Sequence, residues 1–292
     1  MSKDTAKSIL NSNGRFPGHK LSLKEKKQKL YHYTSFETFV KIWLTKQLRF
    51  SAPEGVNDMM ELSESIHPLS ENVCMIFAYK DLRSKYKQIS LSMNYDSYIK
   101  GCMSAMMWGH YGNKRRGVCI EFDYAKMPLN QKDMFHAPVK YKNVLHKDIY
   151  LSNDLKTITD IENYIITHRQ EIFFTKQIDW KGENEYRIIS NKLDYLDISN
   201  AITAVYLTSY ESTECILVEK LVNNTIPVKQ VFYTNQSGTC IPLISTLETK
   251  EKRAKISKSK NDSYYISIIQ QAESLYQQML SETNGSTSQE NN

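Results

Sequence analysis

WKGENEYRII, residues Trp180 to Ile189, is the stretch on which the fold turns. Read as a strand, it puts Glu183, Glu185 and Arg187 on one face, because side chains alternate along a strand. It ends in the apolar pair Ile188 and Ile189. Two carboxylates on one face repel, which raises the pKa of one of them. A fold gains little stability from such a pair, whereas a site that moves protons and holds sugar hydroxyls can use it. The competing reading is a solvated edge strand on which Arg187 neutralises a glutamate. The stretch alone does not choose between the two.

The chain around it has 292 residues, 40% hydrophobic and 11% aromatic, enough for one large domain with additions or two small ones. Its 19 tyrosines against 10 glycines and 7 prolines exclude a low-complexity chain. The net charge of +6, with a pI near 8.8, permits an anionic partner without demanding one. Much of the excess sits in Lys20–Lys29 and Lys250–Lys260, and such runs are ordinarily solvated faces. Cys74, Cys102, Cys119, Cys215 and Cys240 are scattered and form no CxxC pair. That argues against a zinc ribbon or a disulfide framework and for a reducing compartment. MSKDTAKSILNSNGRF at the N-terminus lacks the apolar segment of a signal peptide, and no apolar run approaches the ~20 residues of a membrane span. The expectation is a soluble cytoplasmic protein that does not engage a membrane.

Upstream, Leu30–Tyr33 reads as a short strand, and Thr34 with Glu37 fits a T-x-x-E capping box. Phe36, Phe39, Val40, Trp43 and Leu44 follow as one apolar helical face. His32 then sits at a strand end beside a helix N-terminus, where free N–H groups and partial positive charge suit phosphate. A core histidine satisfied by backbone is the alternative. Leu48–Ser51 reads as a strand, Pro53 and Gly55 break the chain, and Asn57 and Asp58 suit a turn or N-cap ahead of Glu61. Residues 70–87 read equally as helix or buried strand. Gln88–Met93 is a strand with Ser90 and Ser92 on one face. Ile99, Cys102, Met103, Met106 and Met107 recur at helical spacing and run into Trp108, His110 and Tyr111, with Gly112 closing the helix at positive φ.

Gly117–Asp123 and Pro138–Tyr141 follow as strands, and Ile158–Lys176 as a helix. After the glutamate stretch come strand, helix and strand over Ala201–Thr208, Ser212–Val222 and Val228–Tyr233. This gives three segments: a flexible arm over 1–20, one domain over 21–245, and 246–292 as a basic linker, an amphipathic helix and a disordered tail. The apolar stripe of that last helix is Tyr265, Ile268, Ile269, Ala272, Leu275, Tyr276 and Met279. It either packs back on the domain or docks in a partner's groove.

The order of motifs LYHYTS, LRFSAPEGVNDMME, MMWGHYGNKRRGVCIEFD and WKGENEYRII resembles the bacterial domain of unknown function 2971 family, over about residues 30–190. That family in turn resembles a divergent ADP-ribosyltransferase fold. The resemblance implies an α+β class: an ADP-ribosyltransferase-like split β-sheet core with helical insertions, here extended by the C-terminal amphipathic helix. It implies NAD as co-substrate and no metal. In that fold a first strand carries a His or Arg that holds NAD, a middle strand a Tyr or Ser-Thr-Ser, and a late strand the catalytic Glu, sometimes as Glu-x-Glu. Matched by position, His32 is the first and Glu185 the last, with Glu183 completing Glu-x-Glu. The middle position is open between Ser90 with Ser92, where Leu91 replaces Thr, and Trp108, His110 and Tyr111. Tyr33 stands where a glycine often follows the histidine. Tyr33, Thr34 and Ser51 join the NAD-binding set, and Asn57, Asp58, Glu61 and Arg187 are assigned to the acceptor or the pocket rim.

On this reading His32, Glu183 and Glu185 line one cleft. Breaking the nicotinamide–ribose bond builds positive charge on the sugar, as in glycoside hydrolysis. Glu185 stabilises that charge and holds the ribose 2′-OH, and Glu183 deprotonates the acceptor. The acceptor is a macromolecule, with nucleic acid, RNA or DNA, slightly ahead of protein for a basic chain. The resemblance also points to a toxin or anti-phage effector, with an antitoxin or other protein held through the C-terminal helix. Two rivals stand beside it. One is a metal-dependent hydrolase or nuclease built on His32, Asp58, Glu61 and His110, which show no known ligand spacing. The other is a non-catalytic signalling module that binds NAD or ADP-ribose and signals through the C-terminal helix.

Overall fold

The structure, a computed structural model, describes residues 27–52, 72–131, 133–143, 151, 154–208, 213–223, 225–236 and 239–245, together with 270, 274, 277 and 278. The 1–20 arm, the Pro53–Gly55 break, Asn57, Asp58, Glu61, the basic linker and the tail lie outside them. Of the C-terminal helix only Gln270, Ser274, Gln277 and Gln278 are described; all four are helical and exposed, on the polar side of the expected stripe.

In chain order the elements are β1 (Lys29–Thr34), α1 (Phe36–Thr45), β2 (Gln47–Arg49), α2 (Val73–Ser84), β3 (Lys87–Met93), α3 (Ala105–His110), β4 (Val118–Asp123), β5 (Met134–Pro138) and β6 (Lys140–Lys142). They continue with α4 (Ile158–Thr167), α5 (Arg169–Phe173), β7 (Thr175–Gln177), β8 (Glu185–Ser190), β9 (Tyr195–Asp197), β10 (Ile202–Leu207), α6 (Thr213–Val222), β11 (Val228–Gln236) and β12 (Thr239–Ser245). Helices and a mixture of parallel and antiparallel strands make this an α+β protein. Among the described residues no helix is long and apolar enough to cross a membrane.

The chain forms two compact units. The first comprises Met1–Leu30, Gln47–Tyr95 and Asp123–Ala201; the second comprises Tyr31–Lys46, Asp96–Phe122 and Ile202–Asn292.

In the first unit β8 runs between β3 and β5, antiparallel to both, with Ser92 opposite Glu185, and Ser90 and Ala137 opposite Arg187. Every residue of β8 is buried, so it is not the solvated edge strand of the competing reading. Ile189 packs with Tyr79 of α2, Ile161 and Ile165 of α4, and Ile172 and Phe173 of α5. The ambiguous 70–87 segment is helix over α2, started by Asn72, whose side chain accepts from the Cys74 N–H at 3.1 Å. The single helix expected over 158–176 is split. A capping box of Thr157 and Asp160 starts α4, His168 leaves helical geometry, and Lys176 falls on β7.

In the second unit the strand order is β12-β11-β10-β4-β1. The β10 and β11 strands are parallel, with α6 between them in sequence, while β4–β10 and β11–β12 are antiparallel. The N-cap falls one residue later than the expected box. Thr34 closes β1, and the N-cap of α1 is Ser35, which accepts from the Thr38 N–H at 3.2 Å. The methionine stripe is also interrupted. A 3₁₀ turn over Gly101–Met103 ends at extended Ser104, which caps α3.

Positive φ falls not on Gly112 but on Asn113, Lys114 and Arg115, at 45°, 53° and 73°. The two glycines framing this loop are needed for space. A Cβ on Gly112 would lie 2.6 Å from a Trp108 ring carbon, and one on Gly117 would lie 2.1 Å from the Thr34 carbonyl oxygen. Because the second obstacle is backbone, Gly117→Ala is expected to cost about 1–3 kcal/mol, as overpacking does. A lowered urea midpoint with an unchanged m-value would register it, and an unchanged midpoint would contradict the close approach.

Candidate functional site

The glutamate stretch builds its site differently from the expected alternation. A 3₁₀ turn over Ile178–Glu183 follows β7, and Asn184 then takes a left-handed conformation with φ 45° and ψ 53°. Asparagine tolerates that region better than most residues, and its side-chain amide donates to the Met93 and Asn94 carbonyls at 3.1 and 3.0 Å. The left-handed residue ends the turn before β8 starts at Glu185, so Glu183 and Glu185 do not share a strand face.

They are brought together instead by a cation that the sequence reading did not single out. Lys176 Nζ donates to Glu183 Oε2 at 2.7 Å and lies 4.0 Å from Glu185 Oε2. It also sits 4.6 Å over the Trp180 ring. Arg187 grips Glu185 from the other side, donating from Nε to Oε1 at 2.8 Å and from Nη2 to Oε2 at 2.7 Å. Its Nη1 donates to the Phe173 carbonyl at 2.7 Å, which ties the cluster to α5. Lys176, Glu183, Glu185 and Arg187 are 6%, 4%, 3% and 2% exposed. Two cations and two carboxylates thus form a charge-balanced cluster out of water.

That balance decides the protonation of Glu185. Burial pushes its carboxyl up, but the Arg187 guanidinium, then Lys176 and a hydrogen bond with Ser90, outweigh burial and hold it below the ordinary carboxylate value. The expected repulsion between carboxylates therefore does not raise Glu185. Tyr141 on β6 is also part of the site. Its hydroxyl accepts the Glu185 N–H at 2.9 Å, and burial, chiefly, raises its pKa.

The first unit also holds Ser92, buried, whose hydroxyl donates to the Glu183 carbonyl at 3.0 Å. Ser90 is exposed on the same strand, and Ser51, also exposed, pairs with Gln88 in an isolated bridge. The structure thus gathers Glu183, Glu185, Arg187 and the two β3 serines. His32, Tyr33, Thr34, Trp108, His110 and Tyr111 belong to the second unit. There His32 is half-buried on β1, and Tyr33 is buried, donating from its hydroxyl to the Gly101 carbonyl. Tyr33 meets the Trp108 ring edge-on at 5.0 Å. Trp108 is fully buried and donates its ring N–H to the Cys102 carbonyl at 2.8 Å. His110 is exposed at the end of α3, with Tyr111 half-buried beside it.

A second carboxylate was also missed. Glu121 is 8% exposed on β4 and accepts from the hydroxyls of Thr203 at 2.7 Å and Tyr206 at 2.8 Å, and Tyr31 is its third hydroxyl partner. Its sequence signal was an acid set between Ile120 and Phe122 in a largely apolar strand. The neighbouring thiols stay protonated: burial pushes Cys102 up to about 12 and Cys119 well above the ordinary thiol value. Among the described residues no group of three His, Cys, Asp or Glu could hold a metal ion, and Cys74, Cys102, Cys119 and Cys215 form no disulfide.

Residues 107–188 match the family model described as a protein of unknown function (DUF2971). The match supports the family resemblance read from the motifs, and the description carries no activity. No curated protein matches the chain. The matched span runs from within α3 to Ile188 of β8, so it includes Lys176, Glu183, Glu185 and Arg187 and leaves out β1 and β3.

Proposed function

We propose that this chain is an NAD-dependent ADP-ribosyltransferase that modifies a macromolecule, nucleic acid ahead of protein, with Glu185 at the centre of the chemistry. The observation that carries the reading is that Glu185, at the head of a central strand, is held as a carboxylate by its cation partners despite full burial. A transferase of this kind needs an anion where the ribose becomes cationic. A carboxylate has about four lone-pair positions. Arg187 occupies one on each oxygen and Ser90 a third, which leaves one position for a ribose 2′-OH without displacing the guanidinium.

In the proposed reaction the bond between ribose C1′ and the nicotinamide nitrogen breaks, and its electron pair leaves with nicotinamide. A nucleophile on the acceptor then bonds to C1′ and yields its proton to Glu183, whose carboxylate shares Lys176 with Glu185. Incubating the protein with labelled NAD and nucleic acid or lysate is expected to release nicotinamide and to label an acceptor. Absence of both, in folded protein, contradicts the reading.

One observation favours a second reading, a module that binds NAD or ADP-ribose without turnover. Glu185 is 3% exposed, and both its oxygens are engaged by Arg187. A buried ion pair of this quality also occurs as plain structure. Calorimetric NAD binding without nicotinamide release would select it.

A further inference from the structure

We propose that the loop Asn113–Arg116 of the second unit is a nucleic-acid contact surface, on which Lys114 and Arg115 hold backbone phosphates. As the place where an acceptor is held it rests on the transferase reading; as a binding surface it stands alone.

The loop is exposed at all four residues and carries three adjacent cations, Lys114, Arg115 and Arg116. Arg116 is drawn toward Glu37, a carboxyl held low first by its own backbone N–H and by Ser35 and further by that arginine. Lys114 and Arg115 make no ion pair with a carboxylate among the described residues. Their charges therefore repel one another and are offset by no paired carboxylate among the described residues.

The backbone adds a second cost. Three consecutive non-glycine residues with positive φ are sterically unfavourable, and such strain persists only where the surroundings impose it. Here they do. The Arg115 N–H donates to the Trp108 carbonyl at 3.1 Å, the Arg116 N–H to Asn113 at 3.0 Å and the Gly117 N–H to Gly112 at 2.9 Å. The Thr208 hydroxyl donates to the Arg115 carbonyl, and Gly117 is seated against Thr34. A turn whose backbone is held rigid and which carries two cations without a carboxylate partner among the described residues presents them from a pre-organised backbone, and pre-organisation lowers the entropy lost on binding. The partner fits a phosphate backbone better than a lipid surface, because residues 113–116 offer no apolar side chain to enter a bilayer.

The test is binding of a labelled single-stranded RNA without NAD, across a salt series, by wild type and by Lys114→Gly/Arg115→Gly. Glycine removes the charges and relieves the positive φ, so the variant is expected to melt at or above wild type. Each lost phosphate contact to a single strand flattens the plot of log affinity against log salt by about 0.7. The variant's slope is therefore expected to be shallower by about 1.4, with RNA affinity about tenfold or more weaker at about 0.1 M salt. Unchanged affinity and slope, no RNA binding by wild type, or loss confined to binding of anionic phosphatidylserine vesicles would each overturn the proposal. RNA binding without labelling would count against the transferase reading and leave the surface standing. Labelling of RNA that persists unchanged in the glycine variant would do the reverse.

Discussion

Arg187→Met is expected to remove about 3–5 kcal/mol of folding stability at neutral pH, the usual cost of leaving one member of a buried ion pair alone. Arg187 is 2% exposed and makes both hydrogen bonds to Glu185, while Lys176 reaches Glu185 only at 4.0 Å and is committed to Glu183. The variant thus keeps two buried carboxylates with one ammonium between them. The pH dependence gives the sign. In the wild type the Glu185 carboxyl lies below its unfolded value. Its contribution is therefore present above the ordinary glutamate range and is lost as pH falls through the folded value. Without Arg187 the raising effect of burial is less opposed, so the variant is penalised most at neutral pH and least in acid. Urea unfolding at about pH 7 and about pH 4 should show the gap between wild type and variant closing at the lower pH. A gap under about 1 kcal/mol, or one that ignores pH, would mean that the pair is not the anchor of β8.

Most of the secondary structure was legible because its signals are local. The apolar face behind Ser35, the alternation in Gly117–Asp123 and the apolar run Ile188–Ile189 each read correctly as element type. Three of the misreadings share one cause, a single residue that leaves the periodic conformation. Asn184 interrupts Glu-x-Glu, Ser104 interrupts the methionine stripe, and His168 ends the helix that was extended to Lys176. Period alone cannot show such breaks, since the flanking residues keep their pattern.

The site was half legible for a related reason. Glu185 and Arg187 are two apart on one strand, so their pairing follows from alternation. Lys176 was hidden because a helical period placed it at the end of the wrong element; only the tertiary turn after β7 returns it to the glutamates. The direction of the Glu185 shift was not legible either. Two carboxylates without their cations predict only that one of them is raised, whereas Arg187 and Lys176 beside Glu185 hold it low. Glu121 shows the limit from the other side, for its partners Tyr31, Thr203 and Tyr206 come from two other strands, and no spacing announces them.

Glu185→Gln is expected to slow nicotinamide release by about 100-fold or more, the scale for losing one preorganised electrostatic contact. NAD affinity should change far less, because the charge acts on a cationic ribose that exists only in the transition state. The variant also leaves Arg187 facing an amide, so it will be less stable, and release must be measured where thermal melting shows it folded. Two companions separate chemistry from structure. Glu183→Gln should keep slow release of nicotinamide to water while losing transfer, since it removes the acceptor's base and not the stabilising anion. Arg187→Met keeps the Glu185 carboxylate but raises its pKa, so its release rate should recover as pH rises, whereas Glu185→Gln has no carboxyl to ionise and should stay slow. A purely structural cluster would instead make all three variants track their folded fraction. Folded Glu185→Gln releasing nicotinamide at the wild-type rate would take Glu185 out of the chemistry and leave the four charges as the anchor of β8 alone.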